Sequence, residues 1–144
     1  MEIYLDPTRE QFGAMMKMPE HGVVHMLNLL KFKDKASYPD DHAAAGEGLT
    51  GAEAYARYGE ESGPIFRGVG GKIAYSWSPK HVLIGPADEL WDAAFVAEYP
   101  NAAAFGEMVK NPDYQKAVVH RQAAVLTSRL VRMQPQDAGA GFAG

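Results

Sequence analysis

The sequence contains no cysteine among its 144 residues, which excludes disulfide bonds, thiolate metal sites and cysteine nucleophiles. It also has no excess of basic residues, because the formal net charge is −4, and nucleic acid is therefore not an expected partner. The longest mostly apolar stretch, residues 23–32, is too short to span a bilayer. The first seven residues lack the basic and apolar regions of a secretory signal. We expect a soluble, cytoplasmic protein that binds neither nucleic acid nor a membrane.

Sequence motifs for catalysis and cofactor binding are scarce as well. The five histidines never combine with a carboxylate at the spacing of a helical metal site, and neither an H-E-x-x-H nor a G-x-S-x-G motif occurs. We interpret Asp40, Asp41 and His42 as a solvated polar loop rather than a metal site. Residues 46–51 fit G-x-G-x-x-G, but the preceding strand ends too early for a dinucleotide fingerprint. We therefore expect no metal and no other cofactor.

The most informative segment that is present is a strand with two apolar faces, at residues 23–32. Alternate residues of a strand point to opposite sides of the sheet, and a half-exposed strand alternates apolar with polar residues. This segment does not alternate, so both of its faces require cover. We predict that helices of the same chain cover one face and that a second subunit covers the other, giving a homodimer. One face carries Val24, Met26, Asn28, Leu30 and Phe32, and the other carries Val23, His25, Leu27, Leu29 and Lys31.

Helix starts are well marked, each by a side chain that can cap the first turn. These side chains belong to Thr8, Thr50, Asn101 and Asn111, and Pro112 follows at a first helical position. They predict helices at residues 9–17, 51–62, 102–110 and 112–124. Runs of β-forming residues between the helices predict strands at residues 23–33, 72–77, 90–99 and 125–134, with a short one at 81–84.

The order of these elements is one helix followed by β-α-β-β-α-β, with the second α split in two. This order predicts an α+β protein with the ferredoxin-like fold, an antiparallel sheet with its helices on one face. We divide the chain into an N-terminal helical extension (1–22), a ferredoxin-like domain (23–134) and a flexible tail (135–144). The connection at residues 34–49 is long and aperiodic. We predict that it is the most mobile internal segment and that it closes over a pocket.

Three blocks of the sequence together resemble a known family. They are residues 26–32, residues 55–58 with the glycines at 70 and 71, and the stretch 98–121 with Asn-Pro-Asp-Tyr-Gln at 111–115. The pattern resembles domain-of-unknown-function family 1330 (DUF 1330), within the dimeric α/β-barrel superfamily. The resemblance implies a ferredoxin-like fold, a homodimer, and a pocket between the sheet and its helices. Relatives in that superfamily include cofactor-free oxygenases, isomerases, haem-degrading oxygenases and stress-response binding modules.

Two polar residues stand among apolar neighbours and are candidate site residues. Asn28 lies on an apolar strand face, where a buried carboxamide without a partner costs about 1–3 kcal/mol. Its partner is either the backbone or a tyrosine hydroxyl, or else a substrate carbonyl or a dioxygen species. Arg121 interrupts the apolar stripe of the last helix. It either pairs with Glu98 or Asp92, or it clamps a carboxylate or enolate, since a guanidinium presents planar bidentate donors.

The remaining candidates are one histidine and several aromatic residues. His120 is either a general base or a surface histidine. The aromatic residues either belong to the core or line a flat pocket for a ligand. They are Tyr55, Tyr58, Trp77 and Trp91.

These residues support three functional hypotheses, and the resemblance supplies the reaction types. In the first, the protein is a cofactor-independent oxygenase or isomerase that acts on a small aromatic or enolisable compound. Asn28 and Arg121 hold this substrate, and Trp77 or Trp91 stacks on the substrate. His120 or a tyrosine transfers the proton. In the second, the protein is a non-catalytic ligand-binding or stress-response module. In the third it binds or degrades haem, because Asn28, Trp91 and His120 are residue types that recur in that branch.

Overall fold

The computed structural model describes residues 1–142, and these form one four-stranded antiparallel sheet with helices packed on one face. The strand order is β2-β3-β1-β4, and every neighbouring pair is antiparallel. This is the predicted ferredoxin-like fold, with one added N-terminal helix. The elements are α1 (Arg9–Met16), β1 (Val24–Phe32), α2 (Gly51–Gly68), β2 (Lys72–Trp77), a 3₁₀ turn (Ala87–Glu89), β3 (Ala93–Tyr99), α3 (Ala102–Lys110), α4 (Pro112–Ala124) and β4 (Val125–Met133).

The predicted caps are confirmed at all four helices. Thr50 accepts a hydrogen bond from the Glu53 amide and donates its own amide to the Glu53 side chain, which completes a capping box. Thr8, Asn101 and Asn111 also accept bonds from first-turn amides. The predicted end of α2 at residue 62 is wrong, because the helix continues through Pro64 to Gly68. Proline disfavours a helical residue before it partly through that residue's Cβ, and in α2 this residue is a glycine.

The predicted short strand at residues 81–84 is not formed. A strand needs a hydrogen-bonded neighbour, and the pairing of β2 with β3 already ends at Trp77 and Ala94. Leu83 and Ile84 are instead almost fully exposed. The third strand also begins at Ala93 rather than at residue 90.

The two faces of the sheet differ in cover. On the face toward the helices, Met26, Leu30 and Ala97 are buried. On the opposite face, which we call the open face, Tyr75 and Trp77 are 57% and 52% exposed. Leu27 and Leu29 of β1 lie on this open face and are half-buried within one chain. The strand predicted to need cover on both sides therefore has helices on one side only.

The N-terminal extension packs along the edge of β4. The backbone carbonyl of Tyr4 accepts a hydrogen bond from the Ser128 amide at 2.8 Å, and the Tyr4 amide donates to Thr127 Oγ1 at 3.0 Å. Arg132 donates to the Met15 carbonyl at the end of α1. Our division at residue 22 stays a prediction, as does the flexible tail, whose residues 143 and 144 lie outside the described range. Within residues 1–142 no helix has the length and apolar character to cross a membrane.

Candidate functional site

The space between the sheet and its helices contains two adjoining cavities. The larger cavity, of about 1020 Å³, lies among β1, β4, α4 and the N-terminal segment. The smaller cavity, of about 390 Å³, lies under α2 against β2 and β3. Four residues line both of them, namely Asn28, Tyr58, Tyr99 and Met108. We call these four residues the shared wall.

Asn28 belongs to the shared wall because its strand position turns the side chain toward the helices. Its Nδ2 atom donates a hydrogen bond to the Met26 carbonyl of the same strand at 3.1 Å. The backbone, one of the partners that the sequence suggested, therefore bonds to the carboxamide within β1 itself. The carboxamide still lines both cavities, so a bound molecule in either cavity would meet it.

Tyrosine hydroxyls form the polar part of the site. The Tyr58 and Tyr114 hydroxyls are hydrogen-bonded to each other at 2.8 Å, and the Tyr99 hydroxyl donates to Met108 Sδ at 3.7 Å. Burial raises the pKa of Tyr55, Tyr99 and Tyr114 above the usual value for a phenol, because an apolar environment disfavours the phenolate. These groups therefore stay neutral and act as hydrogen-bonding groups rather than as bases. Tyr55 lines the smaller cavity.

Arg121 lines the larger cavity, and its hydrogen-bond partners among the described residues are neutral groups. Its Nη1 atom donates to the Leu5 carbonyl at 2.5 Å, and its Nη2 atom donates to Ser128 Oγ at 3.2 Å. Among residues 1–142, no carboxylate lies within 4.0 Å of this guanidinium. A guanidinium has five N–H donors, so several remain for a ligand.

The ion pair predicted for Arg121 is wrong. Glu98 lies on the open face and pairs with His25 at 2.9 Å and with Lys72 at 3.3 Å. The hydrogen bond from His25 lowers the pKa of the Glu98 carboxyl, and Lys72 adds to this effect. Asp92 precedes β3 and accepts a hydrogen bond from the Phe32 amide at 2.8 Å. Strand alternation turns Glu98 away from α4.

His120 is not a surface histidine, which was one of its two predicted roles, because only 5% of it is exposed. Its Nδ1 atom lies 2.6 Å from the Tyr38 hydroxyl and its Nε2 atom lies 2.7 Å from Glu61 Oε2. The His120 and His42 rings are nearly perpendicular, and their centroids are 5.4 Å apart. His120 lines neither cavity, so the geometry does not support it as a general base for a ligand there. It joins α2, α4 and the 34–49 segment.

Both tryptophans lie outside the two cavities. Trp77 stacks on Tyr75 on the open face, with 5.7 Å between the ring centroids. The Arg129 guanidinium carbon lies 5.2 Å from the centroid of the Trp91 ring. The predicted stacking role of Trp77 and Trp91 is therefore not supported. The three residues of the haem hypothesis, Asn28, Trp91 and His120, do not line a common cavity. Asn28 lines both cavities, whereas Trp91 and His120 line neither.

The 34–49 segment does not close over either cavity. It is bonded to the helical layer through the Ser37 amide, which donates to the Ala123 carbonyl at 2.9 Å, and Ala44 is buried. None of its residues lines the larger or the smaller cavity. The predicted closure of this segment over a pocket is therefore wrong. The mobility of the segment stays a prediction.

Sequence reasoning missed Tyr114 as a site residue, although the signal was present. Tyr114 lies two helical turns before Arg121 on the same stripe of α4, so both reach the larger cavity. It also missed Tyr38 and Glu61, which only the folded chain brings to His120. No group of three metal-ligating side chains occurs within the described range 1–142.

Comparisons with known proteins identify relatives of the whole fold. The family model "Domain of unknown function (DUF1330)" matches residues 45–133. The RPA0582 protein of unknown function from Rhodopseudomonas palustris is 46% identical over 95% of this chain and 100% of its own, with a TM-score of 0.87. A structure of methylated RPA0582 protein is 47% identical over 96% of this chain and 99% of its own, with a TM-score of 0.90.

More distant similarity concerns the fold alone. An uncharacterised NIPSNAP-like domain protein from Burkholderia xenovorans is 17% identical over 85% of this chain and 92% of its own, with a TM-score of 0.50. Among curated proteins, none matches this chain in sequence. The family match covers more than half of the residues and includes Tyr58, Tyr114 and Arg121 of the site. The chain belongs to the DUF1330 family.

Proposed function

We propose that this protein binds a small organic anion in the larger cavity, with the acid group on Arg121. The observation that carries the proposal is a guanidinium that lines the cavity and whose hydrogen-bond acceptors, within residues 1–142, are the Leu5 carbonyl and the Ser128 hydroxyl. A cation in a partly apolar cavity gains most from an acceptor that carries a negative charge. A planar carboxylate or enolate matches the paired donors of the guanidinium.

Binding is better supported than catalysis among the functions that the sequence suggested. The oxygenase or isomerase hypothesis requires a base beside the ligand. The bases that the sequence suggested do not fit this role, because Tyr99 and Tyr114 are kept neutral by burial and His120 is hydrogen-bonded outside both cavities. The hypothesis of a ligand-binding module needs only the cation, the hydroxyl pair and the apolar lining.

We expect ligand-dependent stabilisation of the wild-type protein that Arg121→Gln abolishes. A carboxylate at a concentration of 100 Kd stabilises a folded protein by about 2.7 kcal/mol. In a chain of this length that corresponds to a rise in Tm of about 5–10 °C. Arg121→Gln removes the charge but keeps a polar amide, so the Tm without ligand should change by only a few degrees. A thermal-shift screen of small carboxylates and phenols measures both quantities.

Arg132→Gln is the matched control for the loss of charge. Arg132 lines the same cavity but already faces Glu20 at 3.9 Å and donates to the Met15 carbonyl. This variant should keep the ligand shift of the wild-type protein. Equal shifts in the wild-type, Arg121→Gln and Arg132→Gln proteins would contradict the proposed site.

We further propose that two copies of the chain pack through their open faces. The support is the apolar surface that one chain leaves without cover, including Tyr75, Trp77 and Val131, which are each about half exposed. Leu27 and Leu29 lie beside them on the central strand. A stable homodimer of this kind buries upwards of about 2,000 Å² in total.

A charge placed on the open face should therefore dissociate the dimer. Trp77→Asp removes a large apolar contact and buries an unpaired carboxylate, so sedimentation velocity at micromolar concentration should show monomer for this variant and dimer for the wild type. Met18→Asp is the control, because Met18 is equally exposed but follows α1 away from the open face. A wild-type protein that sediments as a monomer would refute the assembly.

A further inference from the structure

The larger and the smaller cavity meet at the shared wall. Met108 is an unbranched thioether that adapts its shape readily, and it contacts the Tyr99 hydroxyl through sulfur. Tyr58 is half-buried, and its hydroxyl bonds to Tyr114 rather than to the backbone. A change of rotamer at Met108 and Tyr58 would join the two cavities in exchange for the hydrogen bonds to Tyr99 and Tyr114.

The two cavities differ in chemical character. The larger cavity is lined by the Arg121 guanidinium and by other charged side chains of both signs, whereas the smaller cavity is lined mainly by aromatic and aliphatic side chains. The one charged side chain at the smaller cavity, among the described residues, is Arg67, which is exposed at its rim. The other lining side chains of the smaller cavity include Tyr55, Phe66, Ile73, Phe95 and Ala97.

The fully buried polar atoms around this apolar space have hydrogen-bond partners. Within residues 1–142, no buried side-chain nitrogen or oxygen atom lacks a hydrogen-bond partner. The Ser62 hydroxyl, for example, donates to the Tyr58 carbonyl of its own helix at 2.6 Å. A hydrocarbon chain that fills the smaller cavity gains the contacts of buried apolar surface.

We propose that the ligand is an elongated amphipathic acid that occupies both cavities. Its carboxylate lies on Arg121 in the larger cavity, and its apolar chain passes the shared wall and fills the smaller cavity. This inference rests on the proposed function, because it requires an acid group at Arg121. It adds the class of ligand, which is a monocarboxylic acid with a long apolar body.

A homologous series of straight-chain acids tests this proposal. Isothermal titration of the full chain with saturated monocarboxylates of about four to fourteen carbons, below their critical micelle concentrations, gives Kd against chain length. Each methylene that leaves water should lower Kd by about fourfold until the smaller cavity is full. Arg121→Gln should weaken binding at every length.

Two substitutions that fill the smaller cavity locate the apolar chain. Ser62→Leu adds bulk at a buried position that lines only this cavity, and Ser62→Ala is its control without added bulk. Gly59→Leu is a second blocking variant. A Cβ at Gly59 has no heavy atom within 4 Å, and leucine favours the helix more than glycine does. Both leucine variants should keep the affinity for short acids and lose the gain with chain length.

The outcomes separate the two proposals. If short acids bind through Arg121 but Kd does not fall with chain length, the elongated ligand is refuted and the proposed function stands. If the gain with chain length persists in both Ser62→Leu and Gly59→Leu, the chain lies elsewhere and the inference is wrong. If no acid of any length binds, both proposals fail.

Discussion

Gly51→Ala is expected to destabilise the protein by about 3 kcal/mol or more, a large effect for the addition of a single methyl group. A Cβ at residue 51 would lie 2.1 Å from the Lys33 carbonyl oxygen and 2.8 Å from the Ala124 carbonyl oxygen. Both atoms are backbone, so no rotamer change relieves the clash. The Gly51 amide also donates to the Lys33 carbonyl at 3.1 Å, which ties the start of α2 to the end of β1. Urea denaturation monitored by circular dichroism measures the loss.

Gly59→Ala is the matched control within the same helix. No heavy atom lies within 4 Å of a Cβ at this position, so the added methyl group meets open space. Alanine should stabilise the helix relative to glycine by up to about 1 kcal/mol. Similar free energies of unfolding for Gly51→Ala and Gly59→Ala would contradict the prediction, because they would show that the backbone around residue 51 can shift to accommodate a methyl group.

His120→Ala is expected to lower the free energy of unfolding by about 2–4 kcal/mol. The substitution empties a buried ring-sized space and removes the hydrogen bonds to Tyr38 and Glu61. Because Tyr38 lies in the 34–49 segment, hydrogen exchange should also become faster at the Ser37 amide, which bonds to the Ala123 carbonyl. Denaturation and exchange measured by mass spectrometry check the two expectations.

Tyr38→Phe separates the hydrogen bond from the packing. It removes only the hydroxyl that meets His120 Nδ1 and should cost about 1 kcal/mol. In the double variant with His120→Ala, the two effects should sum to more than the measured loss, since both changes remove the same bond. Additive effects, or exchange at Ser37 unchanged by His120→Ala, would show that His120 does not hold the segment.

The fold was readable from local signals because those signals act over a few residues. Thr50 and Asn111 mark helix starts through bonds to amides two or three positions away. Successive side chains of a strand point to opposite faces, which fixes the residues of 24–32 that share a face. The errors lie where the controlling contact is distant. The segment 81–84 has β-forming residues but no strand to pair with. The end of α2 is an error of another kind, because Gly63 before Pro64 is a local signal that the sequence prediction did not use.

The sequence by itself determined the order of elements, the helix caps, the two-faced strand, and which residues share the face of Asn28 and the stripe of Arg121. These follow from periods of two and 3.6 residues and from contacts close in the chain. Only the tertiary structure decided the partners of the polar groups. In the fold, Arg121 lies beside a cavity and bonds to neutral acceptors, and His120 contacts Tyr38 and Glu61. Trp77 lies on the open face. Each partner comes from another element of the fold, and no local pattern records which elements will meet.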